Sequence, residues 1–329
     1  MFTFISYTYR IATLLTLTML FSTSIFSQDN APQLTKLSAN LKLNTERFGH
    51  VVVNDGKQIF VMGGRSSETP LLTDIEVINP STQQVTTLAD KLIGRIYATA
   101  VFDGDRSIYI FGGMSRKKRA VTIEYLVEKI DTQTFDVSIV SEMPWPRKQA
   151  AADMLSHYVV LSGGSKFDNK RSKKMVATST VAIFDTQQNR WLEGADMPTE
   201  KETKTVMVNN LIYAIGGYNM RQSLPALERF NLSTNQWQKL PPLPRDMSAQ
   251  SVATLGNHIF TFGDYQKMDV VYQLDLNTAL WQKLDLGFTP SRHGAATTMN
   301  DIIYVIGGFT GSENEILNEV QQFAFKTAQ

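Results

Sequence analysis

The chain has 329 residues, of which 43% are hydrophobic, 19% charged and 10% aromatic. This globular balance excludes disorder, collagen and coiled coil as descriptions of the whole. It has no cysteine, which excludes disulfides, thiolate metal centres and cysteine nucleophiles, and its 32 Lys+Arg against 31 Asp+Glu leave no global field for nucleic acid, so any anion binding has to be local.

The first segment reads as a leader. Arg10 is the only charge in residues 1–27, an apolar run follows at 11–21, and Ser22, Ser24 and Ser27 supply small residues. That layout predicts a cleaved signal peptide over 1–27. An uncleaved membrane anchor is the rival reading, but the run is short and broken by Thr and Ser for a span of roughly 20 apolar residues. The expectation is an exported protein, periplasmic or secreted, with no transmembrane segment in the mature chain.

From there on the chain repeats. A β-run ending in a glycine pair recurs at 59–64, 108–113, 159–164, 212–217, 259–264 (where Asp264 replaces the second glycine) and 303–308. The first glycines, Gly63, Gly112, Gly163, Gly216, Gly263 and Gly307, lie 44 to 53 residues apart. Each unit carries four strand signals. A tight turn such as Asn54-Asp55-Gly56 separates the first two, and a turn opened by Asn or Asp, such as 231–236, precedes the fourth. Asn and Asp start such turns because their side chains bond the backbone two residues on.

With its glycine pairs, the Thr-to-Trp steps (Thr234 to Trp237, Thr278 to Trp281) and a basic residue before most first strands (Arg47, Arg95, Arg147, Arg245, Arg292), the chain resembles the kelch family of β-propellers over residues 34–329. A period near 50 is that family's. The resemblance implies an all-β, six-bladed ring over 28–329, with blades near 46–92, 93–144, 145–197, 198–243, 244–289 and 290–329. The last unit stops after its third strand signal at 320–325, while residues 33–37 look like an orphan fourth strand. The N-terminal strand is therefore expected to complete the last blade and close the ring, which removes an open edge. Trp191, Trp237 and Trp281 are expected between blades.

In an antiparallel meander, second-to-third loops and blade-to-blade loops share one face. These second-to-third loops are the long ones, and variable loops on a rigid scaffold carry function. Candidate ligand-binding residues on that face are Arg47, Arg65, Arg95, Arg147, Tyr218, Tyr265, Arg292, His293 and Phe309. The repeated arginines among them have an alternative role as architecture. Arg116, Lys117, Lys118 and Arg119 in blade two, with Lys170, Arg171, Lys173 and Lys174 in blade three, form a candidate basic patch. No metal-ligand spacing, phosphate loop or nucleophile elbow appears, so no cofactor and no metal are expected.

The reading is thus a monomeric binding module for a glycan, a small anion or a protein. The alternative is a sugar epimerase or mutarotase similar to the exported bacterial N-acetylneuraminate epimerases. That likeness implies a glutamate at the second doublet position of blade four and a nearby arginine. Here Gly217 stands at that position. Arg221 is a possible counterpart of the arginine, and Asp264, one blade later, is the only carboxylate at a doublet.

Overall fold

The computed structural model describes residues 33–118, 120–169, 174–311 and 315–326. The leader expected at 1–27 lies outside them, as do Arg119, Lys170, Arg171 and Lys173. Among the described residues the regular structure is all strand, and no helix is long and apolar enough to cross a membrane.

Six four-stranded antiparallel sheets form the blades. Blade one holds Val51–Asn54, Ile59–Met62, Ile75–Asn79 and Gln84–Leu88; blade two Thr99–Phe102, Ser107–Phe111, Leu126–Asp131 and Val137–Glu142; blade three Ala151–Leu155, Tyr158–Ser162, Val181–Asp185 and Arg190–Gly194. Blade four holds Glu202–Val208, Leu211–Tyr218, Leu227–Asn231 and Gln236–Leu240; blade five Ser251–Leu255, His258–Phe262, Val271–Asp275 and Leu280–Leu284. Blade six combines Ala295–Met299, Ile302–Phe309 and Ile316–Phe325 with Leu34–Lys36. The N-terminal strand pairs antiparallel with the C-terminal one, Leu34 opposite Phe325 and Lys36 opposite Phe323. The expected closure is therefore present, and Leu34 is buried among Phe262, Phe288 and Phe323.

The second strand of each blade is covered on both faces, which is why it reads as an unbroken apolar run. Six hydrophobic clusters fill the six gaps between neighbouring blades. Trp191 and Trp237 lie 4.9 Å from Phe184 and Phe230 in two of these gaps, with their indole N–H groups donating to Ser141 Oγ at 3.1 Å and the Ala195 carbonyl at 2.9 Å. The segments 114–124 and 165–178, expected as loops, instead contain two-stranded ribbons, Met114–Lys117 with Ala120–Ile123 and Ser165–Phe167 with Met175–Ala177.

The glycine pairs join blade to blade through the backbone. The amides of Gly64, Gly113, Gly164, Gly217 and Gly308 donate to the carbonyls of Arg95, Arg147, Lys201, Met247 and Arg47 in the next blade, at 2.8 to 3.0 Å. The first glycine packs against the same carbonyl. A Cβ on Gly112 would sit 2.1 Å from the Arg147 oxygen, and one on Gly263 would sit 1.9 Å from the Ser291 oxygen. Both residues have positive φ, so glycine is required twice over, by conformation and by space.

Gly112→Ala is expected to cost about 3 kcal/mol or more, combining backbone strain with a displaced blade. Gly104→Ala, whose added Cβ meets nothing within 4 Å, is expected to cost about 1 kcal/mol. Denaturant midpoints of the two variants test this; equal losses would remove close inter-blade approach as the reason for the doublet.

Candidate functional site

The doublet contacts set the true register of the repeat. Counting from the carbonyl that meets each first glycine, the equivalent residues are Arg47, Arg95, Arg147, Lys201, Met247 and Ser291. Arg245 and Arg292 therefore belong two places before and one place after the repeated position. Arg47 is fully buried and bonds Asp74 at 2.8 Å, Glu76 and the Gly63 carbonyl. Arg95 bonds Glu128 and the Gly112 carbonyl. Arg147 has carbonyl partners, Gly163 at 3.1 Å and Thr180 at 2.8 Å, and burial pulls its guanidinium down to about 10. Lys201 takes the arginine's place in blade four and pairs with Glu228 at 3.1 Å. These side chains stand in the wall of the ring, where buried charges are held by partners, and none of them lines the axial mouth.

Two residues further on, a second ring encircles the axis. Gly49 N donates to His293 O at 2.7 Å, Tyr97 N to Gly49 O at 2.7 Å, Gln149 N to Tyr97 O at 2.8 Å, and His293 N to Ala249 O at 2.8 Å. Gly49, Tyr97, Gln149, Ala249 and His293 all have positive φ between 49° and 64°. Thr203 in blade four does not share this conformation. Its strand starts early at Glu202 and carries a register shift between Glu202 and Lys204. The bond from Thr203 N to Gln149 O stretches to 3.4 Å, and among the described residues no backbone bond joins Ala249 to Thr203. The axial ring is open between blades four and five.

A cavity of about 350 Å³ occupies this opening, lined by Tyr97, Lys148, Glu202, Lys204, Tyr218, Gln250, Tyr265 and His293 among others. Lys148 pairs with Glu202, which also accepts from Ser165 Oγ at 2.5 Å. The Lys148 ammonium lies 5.5 Å from the Tyr97 ring centre. Burial holds His293 neutral, down to about 3, helped by Lys204, Arg292 and Lys148. Burial also raises the Tyr97 phenol to about 12, reinforced by Glu202. Lys204 lines both this cavity and the narrower axial channel of about 140 Å³ behind it, and burial lowers its ammonium against the pull of Glu202.

Of the residues singled out from sequence, Tyr218, Tyr265 and His293 line the cavity. Arg292 lies 4.0 Å from the Tyr265 ring and 5.2 Å from that of Phe309. Arg65 is exposed and paired through its backbone with Phe48. Asp264 is 1% exposed, accepts amides of Ser248, Gln266 and Lys267 at 2.9 to 3.1 Å, and faces Arg245 at 3.5 Å. Arg221 is exposed in the turn capped by Asn219. At Gly217 a Cβ would lie 2.2 Å from the Glu202 carbonyl, so the epimerase layout has no room for its glutamate there. Arg116, Lys117 and Lys118 are exposed on the blade-two ribbon, Lys117 lying 3.6 Å from Glu124 and 4.1 Å from the Tyr125 ring centre. Lys174 is exposed at the start of the second strand of the blade-three ribbon.

Sequence reasoning missed Tyr97, Lys148, Glu202, Lys204 and Gln250. A signal for Lys204 was present: in the corrected register the other blades carry His50, Ala98, Ala150, Gln250 and Gly294 at its position, so lysine is the odd residue.

In the first strand of blade three, Asp153 is buried with Oδ2 unpartnered. Burial raises its carboxyl to about 6, only partly offset by Thr205. The folded state therefore keeps this proton to higher pH than the unfolded chain. Its contribution to stability is full below about pH 4 and is lost as pH rises through 6, by about 3 kcal/mol. Asp153→Asn is expected to gain on the parent progressively between pH 4 and 7 in denaturant titrations. A pH-independent difference between the two would show that Asp153 ionises normally.

Comparison with known proteins places these observations in a family. The family described as the KLHDC2/KLHL20/DRC7 Kelch-repeats domain matches residues 49–264 and 157–329. The chain belongs to this kelch-repeat family. It is similar to human Kelch-like protein 23, 24% identical over 66% of this chain and 37% of the relative, and to Xenopus tropicalis Kelch-like protein 25, 23% identical over 65% and 36%. It is also similar to rat Kelch-like protein 38, 24% identical over 70% of this chain and 42% of the relative. The matched region thus spans well under half the length of these relatives.

Proposed function

We propose that the chain is a binding module that docks a protein segment on its long-loop face, with the cavity between blades four and five as the element that selects it. The observation that carries this reading is the open axial ring. Five blades close the mouth with backbone bonds, and the irregular fourth leaves a cavity lined by side chains instead. Its volume falls within the range of ligand pockets, and the scaffold around it is preformed. Tyr265 is 51% exposed at its rim and stacked with Arg292, and exposed Tyr and Arg are the residue types that anchor protein interfaces.

Membership of the kelch-repeat family supports the same reading. Arg65, Arg292 and the cations of the two ribbons favour an acidic segment. Acidic glycans and small anions share that charge and are the other ligands this proposal admits. Export, resting on the leader-like residues 1–27, completes the proposal and places the partner outside the cytoplasm; monomeric behaviour is part of it.

A displayed random-peptide library selected on the parent protein tests the reading. Enriched peptides are expected to be rich in Asp and Glu and to bind Tyr265→Ala at least about tenfold more weakly, the cost of losing one anchor. They are expected to be indifferent to Leu280→Ser, a change at an exposed residue beside a turn of the opposite face. Peptides that depend on Leu280 and ignore Tyr265 would overturn the proposal, as would a library that yields no enrichment.

A further inference from the structure

Lys148 and Lys204 line the cavity and Lys201 stands in the wall of the ring, and two of these three lysines are partnered. Lys148 is bound to Glu202, and Lys201 faces Glu228 at 3.1 Å. Lys204 has neither hydrogen bond nor ion pair among the described residues, and it stands half-buried where the 350 Å³ cavity meets the axial channel. The carboxylate that influences it, Glu202, is already engaged by Lys148 and by the Ser165 hydroxyl. Lys204 is half-buried, and an ammonium partly withdrawn from water with no carboxylate of its own is disfavoured relative to the neutral amine. Partial burial lowers the ammonium below the ordinary lysine range and so raises the share of free amine at the cavity wall, and an amine activated in this way is a nucleophile.

We propose that Lys204 is the amine of a carbonyl-capture site, forming an imine with a small aldehyde or oxo acid admitted through the mouth. This goes beyond partner docking, whose anchor Tyr265 stands exposed at the rim of the cavity. The amine nitrogen attacks the carbonyl carbon, a C–N bond forms, and the carbonyl oxygen takes up a proton. The carbinolamine then loses its hydroxyl with a proton from nitrogen as water, leaving C=N, with no oxidant or reductant needed. Groups that can carry these protons line the same cavity. His293 is neutral, and Tyr97 keeps its phenolic proton. Lys148 uses one of its three donors on Glu202 and has others for a substrate carboxylate.

No other repeat offers this chemistry. At the equivalent position the other blades carry histidine, alanine, glutamine or glycine. The register shift that begins at Glu202 and the lysine that follows it occur together in the one blade where the axial ring is open.

Trapping tests the proposal on the intact chain. The protein is incubated near pH 7 with pyruvate, or in a parallel arm with propanal, together with cyanoborohydride, which reduces imines to stable secondary amines. Peptide mapping by mass spectrometry then locates the adducts on the parent protein, so the result does not depend on a variant folding. Adduct at Lys204 is expected to form at least about tenfold faster than at exposed lysines such as Lys57 and Lys239. Faster trapping of pyruvate than propanal identifies an oxo acid as the ligand class, and the reverse identifies an aldehyde. In Lys204→Met, with an unchanged far-ultraviolet spectrum, the fast adduct should be missing while slow labelling of surface lysines continues. Labelling of Lys204 no faster than surface lysines in both arms would overturn the proposal. So would a fast adduct that persists in Lys204→Met.

Discussion

The backbone bond between a doublet glycine of one blade and a carbonyl of the next is the contact on which this molecule depends. It brings two sheets closer than any side chain allows, as the 2.1 Å and 1.9 Å Cβ approaches at Gly112 and Gly263 show. Every blade offers its carbonyl at the same point, and a doublet amide bonds it at five of the six junctions; at the sixth, where Asp264 replaces the second glycine, Gly263 packs directly on the Ser291 carbonyl. Gly308 then donates to Arg47 O at 2.9 Å, and Leu34–Lys36 pairs with the C-terminal strand. Repetition makes stability a sum of nearest-neighbour interfaces, and closure removes the two edges that an open array would leave. The buried Arg47–Asp74–Glu76 and Arg95–Glu128 groups sit directly behind these bonds. Their guanidinium groups also bond the Gly63 and Gly112 carbonyls, so charge and backbone hold the same junction.

Blade four keeps this outer contact and abandons the inner one. Gly164 still donates to Lys201 O and Gly217 to Met247 O, each at 2.8 Å, so the blade is locked on both sides. Its entry strand nonetheless starts at Glu202, and the positive-φ turn that carries the axial bonds elsewhere is replaced by Thr203. A local irregularity can open a cavity only where the surrounding structure is over-determined, because the missing bonds then cost stability without costing the fold. The cavity inherits rigid walls from five regular blades and its chemistry from the irregular one.

Much of the fold was legible in the sequence because the glycine doublet has two requirements at once, positive φ and no Cβ, that only glycine meets. Its recurrence near 50 residues gave the blades, and the orphan strand at 33–37 followed from the missing fourth strand of the last unit. The site was harder to read. Counting arginines by type placed Arg245 and Arg292 in register with Arg47, whereas counting from the doublet contact puts Met247 and Ser291 there. A buried arginine and an exposed one look alike in sequence, since the difference lies in the partners the fold brings up, an acid such as Glu76 for Arg47 or the Gly163 and Thr180 carbonyls for Arg147. Lys204 escaped notice because it lies inside an entry strand and not at a doublet, and only the corrected register shows it as foreign to its position. The ribbons at 114–123 and 165–177 escaped because short polar strands carry little apolar alternation.

Among the described residues the axial ring of backbone bonds is open at one place, between Thr203 and Ala249, and this opening holds the cavity. Amide hydrogen exchange resolved to single residues measures it directly. The amides of Gly49, Tyr97, Gln149 and His293, bonded at 2.7 to 2.8 Å, are expected to exchange slowly in the native protein. The Ala249 amide is expected to exchange faster, by about a hundredfold or more, as an unbonded amide beside a solvent-filled cavity does. Protection of Ala249 equal to that of the other four would mean that the ring closes in solution, and the account of the cavity would then be wrong.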